Sequence, residues 1–244
     1  MSQPSIWLPP PESLSLQSNE VHVWRMELEQ PGSVLEKFRS ALGTDELERA
    51  SRFHFDKHRN SFVVARGFLR YVLSRYFDTK PEILRFSYGE YGKPALDGRL
   101  HFNMSHSHRV ALLAITEDRQ IGVDVEHIRA DFATEDIARR FFSHSEVESF
   151  NSLLKEEQVA AFFRCWTRKE AFIKATGKGL SQPLDKFDVT LAPGVAAELL
   201  HVDEDDASRW SMSDIDVGGD YAAALVVEGA ASSVRYWSAT DYHG

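Results

Sequence analysis

Apolar and polar positions alternate from residue 20 to 28, where Val21, Val23, Met26 and Leu28 stand between polar neighbours, and the pattern predicts a strand. A Pro/Ser-rich lead-in, residues 1–19, precedes it. Pro31-Gly32 then marks a turn, and 34–42 reads as a short helix ended by Gly43. A second helix opens at Thr44 and carries Arg49 and Arg52. Residues 61–77 give the longest helical pattern of the first half, with Phe62, Ala65, Leu69, Val72, Leu73 and Tyr76 on one stripe. Strands are predicted at 83–88, 99–103, 110–116 and 121–126. The third is apolar throughout, as expected of a strand buried on both faces. Helices return at 134–142, at a capping box formed by Ser143 and Glu146, and at 156–176, stopped by Gly177 and Gly179. The tail predicts strands at 187–191, 198–202, 221–227 and 234–238. This mixed order indicates an α+β fold rather than a regular β-α-β alternation. Helices followed by strands occur twice, with a join near Glu117–Gln120.

Composition narrows the classes. The chain has 244 residues and a single cysteine, so an internal disulfide framework is excluded and a reducing compartment is compatible. Neither a signal peptide nor an apolar run of membrane-spanning length is evident, and a cytoplasmic location is expected, with no membrane partner. The net charge of −9 argues against broad nucleic-acid binding. Yet Arg49, Arg52, Lys57, Arg59, Arg66, Arg70 and Arg75 fall within one stretch whose only acid is Asp56. A polyanionic small ligand and a solvated helix face explain that stretch equally well.

Two segments carry chemistry. In the strand at 121–126, Ile121, Val123 and Val125 point one way and Gly122, Asp124 and Glu126 the other. Asp124 and Glu126 therefore stand side by side, about 7 Å apart along the strand. They repel unless a cation lies between them, and a hard cation such as Mg²⁺ fits, with Gly122 leaving room for a ligand. A solvated strand face is the rival reading. On the helix at 156–176, Glu170 shares a stripe with Val159, Phe163, Trp166 and Ile173, a costly place for an unpartnered carboxylate. Lys174, one turn later, reaches the same place. Tyr91-Gly92-Lys93-Pro94 reads as a tight turn presenting a lysine. Asn103 to His108 lies just before a buried strand, with hydroxyls and imidazoles suited to phosphate. A zinc site from His101, His106 and His108 is disfavoured, because cysteine partners are absent and the spacing matches no common pattern.

In order, these pieces are YGKPAL at 91–96, FNMSHS at 102–107, IGVDVE at 121–126 and FFRCWTRKEAFIKATGKGL at 162–180. From about residue 46 to 191 the chain resembles the larger, surfactin-synthetase-activating type of phosphopantetheinyl transferase. The resemblance implies two similar halves, 1–118 and 119–244, related by a pseudo-two-fold axis with coenzyme A between them. It implies transfer of 4′-phosphopantetheine to a serine of an acyl or peptidyl carrier protein, and a monomer. Asp124, Glu126 and Glu170 would hold Mg²⁺, or Mn²⁺, which shares its preference for oxygen. Glu170, or a metal-linked water, would take the serine proton, and Lys174 would contact the pyrophosphate and help the 3′,5′-ADP leaving group depart. Ser105 and His106 would contact phosphates, and Tyr91, Gly92, Lys93 and Pro94 would belong to the nucleotide pocket. Arg49, with Arg52 nearby, would meet the 3′-phosphate. The segment 141–163 is the expected carrier-docking surface. A coenzyme A-binding module without transfer activity is the alternative.

Overall fold

The computed structural model describes residues 5–203, 205–230 and 233–239; the first four residues of the lead-in lie outside them. The elements run β1 (Glu20–Glu27), α1 (Gly32–Ala41), α2 (Thr44–Ser51), α3 (Asp56–Tyr76), β2 (Ser87–Tyr88), β3 (Pro94–Ala95), β4 (Leu100–Ser107), β5 (Val110–Glu117) and β6 (Ile121–His127). They continue with α4 (Glu135–Phe141), α5 (His144–Ser152), α6 (Lys155–Thr176), β7 (Phe187–Val189), β8 (Leu199–Val202), β9 (Trp210–Asp214), β10 (Tyr221–Glu228) and β11 (Ser233–Ser238). Among the described residues no helix is long and apolar enough to cross a membrane.

Two sheets carry the fold, one ordered β11-β1-β5-β4 and the other β6-β10-β9. Strand alternation assigns each sheet two different partners. In β1 and β5, Trp24, Met26, Ala111, Leu113 and Ile115 face the core built with α1 and α3, where Phe38, Phe68, Leu69 and Val72 are buried. Val21, Val23, Leu112 and Ala114 face the other way and meet Val123, Val125, Leu225 and Val227 of the second sheet. The far side of that second sheet, Ala224 and Val226, packs on α6 with Phe162, Phe172 and Ile173. The layers are therefore helix, sheet, sheet, helix. This is why β5 is apolar on both faces.

Beyond shifts of a residue or two at element ends, four segments differ from the sequence reading. Helix α3 begins at Asp56, not 61, because its first turn is polar and largely solvent-facing and so carries no apolar period. The strand expected at 83–88 is mostly irregular, a 3₁₀ turn at Pro81–Ile83 followed by the short β2. Its carbonyls are used otherwise: the buried guanidinium of Arg70 donates to Pro81 O at 2.9 Å and Leu84 O at 3.1 Å. Strand β4 runs four residues past 103, to Ser107, so the segment expected before the buried strand is itself strand. Strand β9 is not predicted: its alternation is only two apolar residues long, Trp210 and Met212, each followed by a serine, and most of its positions are half-buried.

The close approach that positions the site is at Gly122. A Cβ there would lie 2.0 Å from Ala171 O and 2.4 Å from Ala175 N, so the backbone of α6 rests directly on β6. The glycine makes room for a helix, not for a ligand as its sequence context suggested. Lys93 secures the same contact from one end, donating from Nζ to Ile121 O (3.0 Å) and Lys174 O (2.7 Å). Further along, the fully buried Lys169 pairs with Glu146 at 2.7 Å and donates to Leu184 O at 2.7 Å, fixing the helix rotation. Glu146 also closes the expected capping box with Ser143. A substitution Gly122→Ala must push α6 outward. It is expected to cost about 3 kcal/mol, the upper end of overpacking effects, in urea unfolding of the full chain.

Candidate active site

Because Ala171 and Ala175 sit on Gly122, their neighbours Glu170 and Lys174 project beside the strand positions that follow it, Asp124 and Glu126. Lys174 Nζ donates to Asp124 Oδ1 at 2.6 Å and to Ser105 Oγ at 2.9 Å. Ser105 Oγ in turn donates to the same Asp124 oxygen at 2.8 Å. Asp124 is only 2% exposed, and its other oxygen, Oδ2, is buried with no hydrogen-bond partner. The solvated strand face considered from sequence is thereby excluded for Asp124. An unpartnered carboxylate oxygen costs stability, so it marks a place where something else binds.

The other two carboxylates confirm the electrostatic strain. Burial raises the pKa of Glu126, and the charge of Asp124 adds to the shift, against the Ser107 hydrogen bond and the charges of Lys174 and Arg129. Burial also pushes Glu170 up to about 7, with Asp124 and Glu126 reinforcing the shift and Lys174 opposing it. Among the described residues, no three ligand-type side chains are gathered tightly enough as they stand to enclose a metal. The donor set nevertheless fits a hard divalent cation: three acids, Asp124 with an orphaned buried oxygen and Glu126 and Glu170 disfavoured as anions.

The structure places the remaining expected residues as follows. The ring of His106 is reached by solvent, yet the protein crowded round it and then the charge of Lys174 hold its pKa below the ordinary value. Lys93 is committed to the carbonyls of β6 and α6, and burial lowers its pKa to about 8. With Pro94, His101, Gln120 and Gly177 it lines a cavity of about 290 Å³. Tyr91 and Gly92 are exposed at the tip of the β2–β3 hairpin, and Gly92 adopts φ +78°. Arg49 and Arg52 are exposed at the end of α2, where Arg49 lies over the Phe62 ring at 5.2 Å. Neither touches the carboxylate cluster among the described contacts. In the expected docking segment Phe142 and Val147 are buried core residues, whereas Leu154 is 62% exposed.

Two structural features lie outside the sequence reading. Asn103, Ser105 and Ser107 accept backbone N–H groups from β6, and Arg168 and Lys169 of α6 are fully buried. The first had a signal in the sequence, since residues 103, 105 and 107 repeat short polar side chains at period two.

Glu170 links function to stability with a definite sign. Its folded pKa, about 7, lies above the ordinary glutamate value of 4.5. Between those values the unfolded chain sheds the proton while the folded chain keeps it, so stability falls as pH rises through the window. In metal-free buffer, Glu170→Gln is expected to raise Tm at pH 8 by about 2–4 °C, what ~1 kcal/mol delivers in a chain this size, the remainder being screened by solvent. That gain should shrink towards zero by pH 5.

Two family profiles between them cover residues 14–226. Residues 14–118 match the 4′-phosphopantetheinyl transferase N-terminal family, and residues 120–226 match the 4′-phosphopantetheinyl transferase superfamily. The 4′-phosphopantetheinyl transferase HetI of Nostoc sp. (strain PCC 7120) is 40% identical over 236 residues, 95% of this chain and 97% of its own length. The 4′-phosphopantetheinyl transferase Sfp of Bacillus subtilis (strain 168) is 37% identical over 158 residues, 64% of this chain and 69% of its own. The solved holo-[acyl-carrier-protein] synthase of Thermotoga maritima, 25% identical, overlaps 46% of this chain and 63% of its own with a TM-score of 0.35.

Proposed function

The chain belongs to the 4′-phosphopantetheinyl transferase superfamily, and on that footing we propose how its residues move 4′-phosphopantetheine from coenzyme A to a carrier-protein serine, releasing 3′,5′-ADP. The observation that carries the reading is the buried, unpartnered Oδ2 of Asp124 beside two acids of raised pKa and one lysine.

Asp124, Glu126 and Glu170 would hold Mg²⁺, which when bound neutralises charge on the pyrophosphate of coenzyme A. Glu170 accepts the proton of the carrier serine hydroxyl, as a general base set beside the attacking oxygen. The serine oxygen forms its bond to the β-phosphorus, and the phosphorus bond to the bridging oxygen breaks. Lys174 leaves Asp124 for a pyrophosphate oxygen and stabilises the departing 3′,5′-ADP. Ser105 and His106 meet phosphate oxygens. Little covalent work falls to the chain, so orientation and charge neutralisation supply most of the rate.

The nucleotide end follows the same logic. Tyr91, Gly92 and Pro94 wall the nucleotide pocket, and Lys93 shapes it by holding β6 to α6. Arg49, with Arg52 beside it, takes the 3′-phosphate. The halves 1–118 and 119–244 form a pseudo-two-fold pair; helix-on-sheet packing repeated twice supports this, as does the meeting of the two family matches between 118 and 120. With both halves in one chain, the enzyme works as a monomer, in the cytoplasm. Its carrier is an acyl or peptidyl carrier protein.

The test is the intact mass of an apo carrier incubated with the protein, coenzyme A and Mg²⁺. One phosphopantetheine group should be gained, and the gain should vanish with EDTA and with Glu170→Gln. Lys174→Ala is expected to lower kcat by about 10²–10³-fold, the scale for losing one charge-stabilising donor. Coenzyme A binding without any gain on fatty-acid, polyketide and peptide carriers would instead establish a binding module.

A further inference from the structure

Strands β4 and β6 are edges of different sheets, and side chains take the place of a backbone ladder between them. Asn103 Oδ1 accepts the N–H of Val123 at 2.9 Å, Ser105 Oγ that of Val125 at 3.4 Å and Ser107 Oγ that of His127 at 3.1 Å. A hydroxyl that accepts one hydrogen bond still has a proton to donate. Ser105 gives its proton to Asp124 Oδ1 and Ser107 gives its own to Glu126 Oε2, each at 2.8 Å. Asn103 reaches the strand beside Gly122, where there is no carboxylate. The seam therefore has one purely structural rung and two rungs that also hold acids.

The two acids are not held alike. Asp124 is buried and gripped by both Ser105 and Lys174. Glu126 is half-buried, near the end of its strand, with a longer side chain and more rotamers to lose. Ser107 supplies its direct hydrogen bond. Building on the function proposed above, we propose that Ser107 is a positioning residue, fixing the Glu126 carboxylate for metal ligation through a hydroxyl that is itself oriented by the His127 N–H. Partners of this kind orient metal-binding side chains, and their loss weakens metal affinity about 10–100-fold.

The experiment titrates Mg²⁺ into the full-length, coenzyme A-loaded protein by calorimetry. Ser107→Ala should raise the Mg²⁺ Kd about tenfold, while coenzyme A affinity measured in EDTA stays at the wild-type value. Ser107→Thr, which keeps the hydroxyl, should restore Mg²⁺ binding. Asn103→Ala should lower Tm yet leave the Mg²⁺ Kd in place. Wild-type Mg²⁺ binding by Ser107→Ala would overturn the assignment. So would equal weakening by Asn103→Ala and Ser107→Ala, or failure of threonine to rescue. Wild-type protein that transfers normally while Ser107→Ala binds Mg²⁺ unchanged sinks the positioning role alone. Wild-type protein that binds Mg²⁺ but modifies no carrier sinks the proposed reaction instead.

Discussion

Everything in the candidate site depends on one contact, the backbone of α6 lying against the bare backbone of Gly122. A helix normally keeps a side chain's width from the sheet it covers. Here that spacing is removed, and residues one step round the helix from Ala171 and Ala175 reach the strand's own acids. Lys93 at the helix terminus and Lys169 in its middle act on the same contact, one setting its end and the other its rotation. Their ammonium groups are spent on carbonyls and on Glu146, buried where a hydrophobic residue would pack more cheaply. Such pairs specify geometry, and the geometry specified is the placing of Glu170 and Lys174.

The cluster so assembled is poorly satisfied by protein alone. One lysine and one serine share a single oxygen of Asp124, and the other oxygen has no partner. Burial and mutual repulsion then keep Glu126 and Glu170 reluctant to ionise. A core designed for stability would avoid this arrangement. Local conflict of this kind, surrounded by well-packed layers, is expected where a protein trades stability for binding and chemistry.

Much of this was legible in the sequence. The strand positions of Asp124 and Glu126 followed from period-two alternation, and the helix bearing Glu170 and Lys174 from its apolar spacing. What could not be read was depth and mate. Period shows which side chains share a face, not what covers that face, so a solvated strand face was the stronger reading of Asp124 on that motif alone. Gly122 looked like space for a ligand because sequence does not tell which neighbour fills a gap. Arg168 and Lys169 were illegible because charged residues are almost never fully buried, and the partners that permit it, Asp214 and Glu146, lie 46 and 23 positions away. The extension of β4 was obscured by its short polar side chains, which resemble a loop until their alternation is matched to a facing strand.

The last strand has a consequence for how the protein comes into being. Strand β11 pairs in parallel with β1, Val21 facing Val234 and Trp24 facing Trp237, so the outer edge of the first sheet is laid down by a strand about two hundred residues downstream. During synthesis β1 emerges early and waits, one edge bare, through the translation of about two hundred residues. An open edge invites pairing with the wrong strand. Folding of the first half therefore waits on the synthesis of residues 233–238, and a nascent chain stalled before residue 233 lacks that edge however well its other segments are made.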